Sequence, residues 1–227
     1  LKCHNNRDYN KYIRRLWRSE NEGENMTLEH DFLVEDREFK DYADLKAHCR
    51  LKAPENFNFA YDIIDRYARE APEKRALVWC DDNGEEKIFT FTDLSRESKR
   101  TAYWLTTLGL KKGDAVMLML RRRYEFWIIM MALHRIGAIA VPAAEQLLAH
   151  DIEYRTNAAG IKMVVSSGNP TVLSEIEKAK LNSPSVDHLV TVGPDREGWI
   201  SYHTEVNKVA PEFPRPIGDA ATHNDDP

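Results

Sequence analysis

Six consecutive apolar residues, Ala115–Leu120 (AVMLML), restrict the fold of this chain more than any other feature. The run is far too short to span a membrane, and it lacks the alternation of polar and apolar side chains that a half-exposed strand shows. An unbroken apolar run of this length is typical of a strand covered on both faces by helices. We therefore expect Ala115–Leu120 to be an inner strand of a layered α/β fold.

The segments around this run repeat the order of short strand, turn and helix, which predicts a mostly parallel sheet flanked by helices. The predicted helices cover residues 57–70, 92–108, 125–136, 151–159, 170–181 and 199–209, with Thr92 or Asp93 as the N-cap of the second. The predicted strands cover residues 75–80, 87–91, 115–120, 138–141, 162–166 and 188–192. The first two strands flank Asn83-Gly84, a pair that favours a tight reversal, so we expect a hairpin there.

The chain divides by composition into three parts. Residues 1–25 are highly charged, and we expect a mobile arm there. The chain starts with Leu1 and has its first methionine at Met26, so we expect a misassigned start or a leader in this arm. Residues 26–209 carry the α/β pattern and are predicted to form an incomplete subdomain. Residues 210–227 are rich in proline and small polar residues, which predicts a connector to a missing part.

Composition excludes several classes of protein. With 42% apolar and 30% charged residues, the chain has ordinary globular usage, which excludes a disordered, fibrous or disulfide-rich protein. A formal net charge of −5 provides no basic field for nucleic acid or an anionic membrane. Cys3, Cys49 and Cys80 form no C-x-x-C pair, which favours a reducing compartment, and we predict the cytoplasm.

The sequence lacks the common signatures of catalytic and nucleotide sites: there is no G-x-G-x-x-G, H-E-x-x-H or G-x-S-x-G. Gly193 and Gly198 have the glycine spacing of a phosphate-binding loop, but Trp199 follows where that loop requires lysine. The sequence therefore predicts neither a catalytic residue nor a metal ligand.

Two loops are weaker candidates for binding an anion. Arg121-Arg122-Arg123 follows the predicted strand 115–120 and precedes a helix, where backbone N–H groups and guanidinium groups favour phosphate. Ser166-Ser167-Gly168-Asn169 has the same position after the strand 162–166. A solvated turn and an ordinary capped turn are the commoner structures for such sequences, and we favour them here.

Three other polar residues have structural explanations. His134 lies within an otherwise apolar helix and is most simply a hydrogen-bonded core or interface histidine. Asp81 and Asp82 lie in the predicted hairpin turn, where their side chains are expected to stabilise the reversal alone.

Two stretches, taken together, carry a resemblance to a known family. The first begins with Phe89-Thr90-Phe91-Thr92-Asp93-Leu94 and ends with Gly113-Asp114 and the apolar strand after it. The second is Ala132–Pro142, which contains Gly137-Ala138. In this order and spacing they resemble the AMP-forming acyl-CoA synthetases. Gln146, Asp151-Ile152, Tyr154-Arg155 and Gly198-Trp199-Ile200 are most similar to the medium-chain branch, with acetyl-CoA synthetases next.

The resemblance covers about residues 55–227 and implies the first part of the synthetase's large N-terminal domain. It implies an enzyme that uses ATP and Mg to convert a short- or medium-chain fatty acid to an acyl adenylate and then to a CoA thioester. It also implies that the loop binding the ATP phosphates follows Pro227, so this chain alone is expected to be inactive and to bind none of these cofactors strongly. Among site residues it implies only Gln146, as part of the CoA site.

Two further expectations concern partners and alternatives. Without the rest of the domain, the chain is expected to expose apolar surface and to associate with itself. The alternative function is a non-catalytic interaction or regulatory module that retains the synthetase topology, and coding DNA downstream of Pro227 would distinguish the two. A Rossmann-type nucleotide binder is disfavoured because the glycine fingerprint is missing.

Overall fold

The computed structural model describes residues 39–50 and 52–227, so the predictions for the arm 1–25 lie outside the described residues. The described residues divide into two units, residues 39–50 and 52–56 with 80–86, and residues 57–79 with 87–227. In the described part of the first unit, helix α1 (Tyr42–His48) starts at Asp41, whose side chain accepts a hydrogen bond from the N–H of Asp44 at 2.8 Å.

The first unit also contains the turn predicted around Asp81. Asp81 Oδ1 accepts the N–H groups of Asn83 at 2.9 Å and Glu85 at 2.8 Å. The hydrogen bond from Glu85 is the main reason that the pKa of Asp81 lies below its usual value. The side chain of Asp81 therefore stabilises the reversal, as the sequence predicts.

The second unit begins with a π-helical turn (Ala60–Ile64) and helix α2 (Asp65–Glu70). A two-stranded sheet of β1 (Arg75–Cys80) and β2 (Glu86–Thr90) follows, and all of its residues except Cys80 and Glu86 belong to this unit. The remaining helices are α3 (Phe91–Thr107), α4 (Tyr124–Ile136), α5 (Ala149–Ala159), α6 (Pro170–Lys180) and α7 (Tyr202–Val206). The remaining strands are β3 (Ala115–Met119), β4 (Ile139–Pro142), β5 (Ile161–Ser166), β6 (His188–Thr191) and β7 (Ile200–Ser201). A short 3₁₀ turn, Gly218–Ala220, lies near the C-terminus.

Strands β3 to β7 form one parallel sheet in the order β4-β3-β5-β6-β7. Every residue of β3 is buried. Val116 and Leu118 join one apolar cluster, and Met117 and Met119 join a second. Because successive side chains of a strand point to opposite faces, the two clusters cover the two sides of the sheet. The layered α/β fold with a mostly parallel sheet flanked by helices is thus confirmed.

Several predicted boundaries differ from the structure by one to three residues, and two of these differences have a clear physical reason. The N-cap of helix α3 is Thr90, two residues before Thr92 and three before Asp93, and the side chains of Thr90 and Asp93 form a reciprocal capping box. Residues 199–201 do not begin a helix, because Ile200 and Ser201 pair with Val190 and Thr191 of β6 as a fifth strand. The open edge of β6 offers these two residues hydrogen bonds that a helical periodicity cannot reveal.

Within the described residues, no helix has the length and apolar character needed to cross a bilayer.

Candidate functional site

The carboxyl edge of the parallel sheet is the part of the fold where a ligand site is expected. The chain leaves β3 to form β4 on one side and then crosses to β5 on the other side, so the strand order reverses between β3 and β5. Open α/β sheets bind ligands outside the carboxyl ends of their strands at such a point. Ser166 pairs with Met119, and the N–H of Ser167 donates to Met119 O at 3.2 Å. The structure therefore brings Arg121–Arg123 and Ser166–Asn169 to the same edge.

A buried carboxylate lies at the helical end of the arginine triplet. Glu125, in the first turn of α4, is fully buried, and Arg123 donates to it through Nε at 3.1 Å and Nη2 at 2.8 Å. His203 Nε2 lies 3.0 Å from Glu125 Oε1 and joins α7 to the same carboxylate. Burial by itself raises the pKa of Glu125, but hydrogen bonds from His203, Arg123 and its own backbone N–H outweigh burial and lower it.

The ion pair between Arg123 and Glu125 explains one arginine of the triplet Arg121–Arg123 without a bound phosphate. Negative charge is favoured at the N-terminus of a helix, and here Glu125 of the protein itself supplies that charge to α4. Arg123 is committed to this carboxylate. The start of α4 is therefore not a vacant phosphate site, because its anion is internal.

Arg121 and Arg122 remain exposed at the sheet edge. Arg122 has a φ of +23°, which is strained for a residue with a side chain, and its carbonyl accepts the indole N–H of Trp79 at 2.6 Å. No ion pair to either side chain is found in the described part of the chain. The pair can attract an anion at this edge, but a solvated turn explains it equally well.

The Ser166–Asn169 loop is a closed, capped turn. Asn169 Oδ1 accepts the N–H of Thr171 and caps α6. Gly168 has a φ of +87°, and a Cβ built on it would lie 2.8 Å from Gly193 Cα. The backbone of the loop after β6 already fills the space on the Cβ side of Gly168, so this side of the loop has no room for an anion.

Ser166 also lies at this edge, with its side chain fully buried. Its hydroxyl oxygen has no hydrogen-bond partner among the described residues. Burial without a partner is unfavourable for a hydroxyl, so Ser166 is the one residue of this loop whose polarity the local structure does not explain.

Gln146, the residue implied for the CoA site, is exposed in the turn between β4 and α5. The preceding residue, Glu145, places Oε1 in a buried position without a partner among the described residues. The structure puts Gln146 beyond the carboxyl end of β4, on the expected edge of the sheet. Its role in binding CoA stays a prediction.

His134 and its neighbour Arg135 have different environments. His134 lies edge-on to Phe59, with ring centroids 6.4 Å apart, and burial lowers its pKa. Arg135 is fully buried and forms an ion pair with Asp65, at 2.6 Å between Nη2 and Oδ1. The sequence analysis missed this pair, although an arginine inside a helix of Ile, Met and Leu signals a buried partner.

An aromatic cluster flanks the start of α4. Tyr124 has its ring centroid 5.3 Å from that of Trp79 and 5.2 Å from that of Phe89. Lys87 Nζ lies 4.5 Å from the Tyr124 centroid and donates to its hydroxyl at 3.1 Å. These contacts attach the two-stranded sheet to α4 and give this cluster a structural role. The described residues contain no cluster of His, Cys, Asp or Glu that could hold a metal ion.

Replacement of Glu125 by Gln is expected to reduce the free energy of unfolding at neutral pH by about 1.5–3 kcal/mol, because a charged acceptor of several hydrogen bonds is lost. The pKa of Glu125 is lowered by folding, so its contribution is complete above the unfolded value of about 4.3 and is lost as the pH falls through the folded value. The difference between Glu125→Gln and the original chain should therefore shrink from pH 7 to pH 3 in urea unfolding.

The control for this experiment is Glu205→Gln, whose carboxylate pairs with Lys208 at the surface. Its effect is expected to stay below about 1 kcal/mol. A Glu125→Gln effect that is equally small, or that does not decline in acid, would contradict a buried ionised Glu125.

Comparison with known families gives one match over most of the chain. A family model described as "AMP-binding enzyme" matches residues 64–227. Among curated proteins, the chain is 32% identical over 170 residues to "Acyl-coenzyme A synthetase ACSM5, mitochondrial" of Mus musculus, covering 72% of this chain and 29% of that protein. It is 34% identical over 169 residues to "Acyl-coenzyme A synthetase ACSM4, mitochondrial" of Homo sapiens, covering 70% and 29%.

Solved structures agree with this match. The anthranilate CoA ligase AuaEII, solved in complex with anthranoyl-AMP, superposes with a TM-score of 0.65 at 24% identity, over 77% of this chain and 31% of that one. An acyl-CoA synthetase of Brucella canis gives a TM-score of 0.61 at 25% identity, over 71% and 29%. The chain thus spans less than a third of the length of these relatives.

Proposed function

Because the chain belongs to the AMP-binding enzyme family, we propose that it forms the sheet-bearing part of an AMP-forming acyl-CoA synthetase. The observation that carries this proposal is the family match over residues 64–227. The parallel sheet, with Gln146 and the exposed Arg121 and Arg122 at its carboxyl edge, is consistent with it.

The proposed reaction has two steps. The carboxylate of a short- or medium-chain fatty acid attacks the α-phosphorus of ATP, which forms an acyl adenylate and releases pyrophosphate. The thiol of CoA then attacks the acyl carbon, loses its proton and displaces AMP. Such chemistry depends on positioning the reactants and on neutralising charge on phosphate oxygens.

The described residues do not fit a triphosphate with its Mg. Gly168 is closed off by Gly193, Glu125 occupies the start of α4, and no acidic cluster that could hold a metal is present among the described residues. We therefore propose that this chain contributes scaffold, and a CoA contact at Gln146, while the phosphate-binding groups lie elsewhere in the enzyme. No catalytic step is assigned to a residue of this chain.

The 227-residue chain is expected to show no ATP–pyrophosphate exchange above a buffer blank with butyrate, hexanoate or octanoate. The reason is that exchange requires a bound and positioned triphosphate, and the described residues offer no group that would position it. Pyrophosphate exchange that requires the added fatty acid and scales with protein concentration would contradict the proposal that the phosphate-binding groups lie outside this chain. If coding DNA downstream continues the reading frame, the longer product should show exchange and form acyl-CoA, and failure of that product would contradict the synthetase assignment.

A second candidate is a non-catalytic interaction or regulatory module with synthetase topology. The close contact between Gly168 and Gly193 favours it, since the two loops pack against each other without a ligand between them. A stop codon directly after Pro227 would support this module and argue against the enzyme.

Self-association and a cytoplasmic location stay predictions. On the second unit, Ile88 and Trp127 have exposed fractions of 45% and 51%, which is compatible with self-association. The names of the curated relatives place those proteins in mitochondria.

A further inference from the structure

Residues 211–226, predicted as a connector, lie against the rest of the second unit and are attached to it at two separated places. We call these residues the strap. None of the strap residues is fully buried: Phe213 packs in part against the main apolar cluster, whereas Ile217, between the two attachments, has an exposed fraction of 86%. Beyond Phe213, the strap is therefore held mainly by specific polar contacts rather than by burial in the core.

The first attachment joins the strap to the π-helical turn Ala60–Ile64. Arg215 donates to both carboxylate oxygens of Asp62, at 2.7 and 3.0 Å, and its guanidinium lies 5.3 Å from the ring centroid of Tyr61. The Tyr61 hydroxyl donates to Pro214 O at 3.5 Å. A bidentate arginine–carboxylate pair is among the strongest polar contacts of a protein surface. We call this contact the first anchor.

The second anchor joins the strap to the segment before β3. Lys112 Nζ donates to Ala221 O at 2.7 Å and forms an ion pair with Asp226 at 2.9 Å. Close by, Thr222 Oγ1 accepts a hydrogen bond from Asn58 Nδ2 at 3.1 Å, and a Cβ built on Gly137 would lie 3.0 Å from the Thr222 methyl group.

The two anchors are linked through shared supports. Asn58 holds Thr222 with its amide and also donates to His134 O at 2.6 Å, at the end of α4. Tyr61 donates to Arg135 O at 3.3 Å, one residue further along the same helix. The π-helical turn therefore connects both anchors to the C-terminal end of α4. π-helical turns are rare and frequently mark functional positions.

The strap lies away from the candidate site. Lys112 precedes β3 and Gly137 precedes β4, so the second anchor is at the amino edge of the sheet, whereas Arg121 and Ser166 lie at the carboxyl edge. Segments with few buried apolar contacts have low local stability and open before the core does. Opening of the strap would therefore leave both the sheet and the candidate site folded.

We infer that residues 211–226 form a closing strap, fastened to the π-helical turn by Arg215–Asp62 and to the start of β3 by Lys112–Asp226, that opens as one unit while the sheet stays folded. The observations that carry the inference are the two charged anchors, the shared supports between them and the lack of buried strap residues. The inference does not depend on the proposed synthetase function. Because ion pairs near the surface weaken with ionic strength, the strap is sensitive to salt.

Hydrogen–deuterium exchange of the full chain, read by mass spectrometry, tests the strap. Arg215→Met keeps most of the stem of the side chain and removes the first anchor. Amides of residues 217–226 should exchange about tenfold faster, which corresponds to about 1.4 kcal/mol, while β3 and β5 stay protected. The control is Arg196→Met, which removes another bidentate pair, to Glu177, and should leave strap exchange unchanged.

The variant Lys112→Met tests whether the two anchors open together or independently of each other. If the strap opens as one unit, Lys112→Met accelerates exchange at residues 212–217 as well as at 218–226, and 1 M NaCl has the same effect on the original chain. Acceleration confined to the half next to each mutated anchor would overturn the inference. Equal acceleration in the strap and in β3 would also overturn it, since the strap would then open only when the whole unit unfolds.

Discussion

Replacement of Arg135 by Met is expected to lower the free energy of unfolding by about 3–5 kcal/mol, the largest effect of any single polar substitution considered for this chain. Arg135 is fully buried and donates to Asp65 through Nη2 at 2.6 Å and Nη1 at 3.0 Å. Its Nε donates to the buried hydroxyl of Ser98 at 3.0 Å. Without the guanidinium, the carboxylate of Asp65 loses its main partner in a place with little access to water.

The state of Asp65 is consistent with this expectation. Burial by itself would raise the pKa of Asp65, but the hydrogen bonds and charge of Arg135 outweigh it, with smaller effects from Ser95 and Lys99, so the pKa lies below its usual value. In Arg135→Met, burial still raises the pKa of Asp65, but the lowering by Arg135 is lost. Asp65 should therefore become easier to protonate. Urea unfolding at pH 5 and pH 7 should therefore show a smaller loss at the lower pH.

Two further variants separate the ion pair from the loss of packing. Arg96→Met removes surface pairs with Glu97 and Asp93 and should cost less than about 1 kcal/mol. The double variant Asp65→Leu, Arg135→Met removes both buried charges and should be more stable than Arg135→Met alone, since replacing a buried pair by apolar residues is often close to neutral. If the double variant is less stable than Arg135→Met, the cost comes from packing and not from an unpaired Asp65.

The second large effect is expected for Gly168→Ala, at about 2–5 kcal/mol. A Cβ at this position meets Gly193 Cα at 2.8 Å and Thr191 Oγ1 at 3.0 Å, so the two loops must separate, which costs about 1–3 kcal/mol. The φ of +87° adds about 1–2 kcal/mol for any residue with a Cβ. Urea unfolding measures the sum.

Gly109→Ala is the matched control for this substitution. Gly109 has a φ of +89°, but no atom lies within 4 Å of its Cβ position. The difference between the two variants therefore isolates the contact between the loops after β5 and β6. Equal destabilisation would mean that these loops are not packed together, and the Ser166–Asn169 loop would again be a candidate anion cradle.

In the candidate site, local sequence patterns predicted the positions of the loops but not the contacts between residues far apart in sequence. The loops Arg121–Arg123 and Ser166–Asn169 could each be placed after a strand, because apolar runs and turn residues are local signals. Arg123 and His203 both contact the carboxylate of Glu125. His203 lies on α7, 78 residues from Glu125 in sequence, so this contact depends on where α7 packs. That Gly193 closes the space beside Gly168 depends on β6 lying next to β5.

The sequence by itself determined the layered α/β class, the buried inner strand, most helix ends and, through its resemblance, the family. Each of these follows from neighbours a few residues apart, through side-chain periodicity, the helix end at Gly137, and the backbone limits of proline and glycine. Only the tertiary structure decided that Arg135 pairs with Asp65, that residues 200–201 extend the sheet, and that the C-terminal segment is fastened to the fold. The physical reason is that desolvation and partner choice depend on which distant groups are brought together, and no local pattern records that.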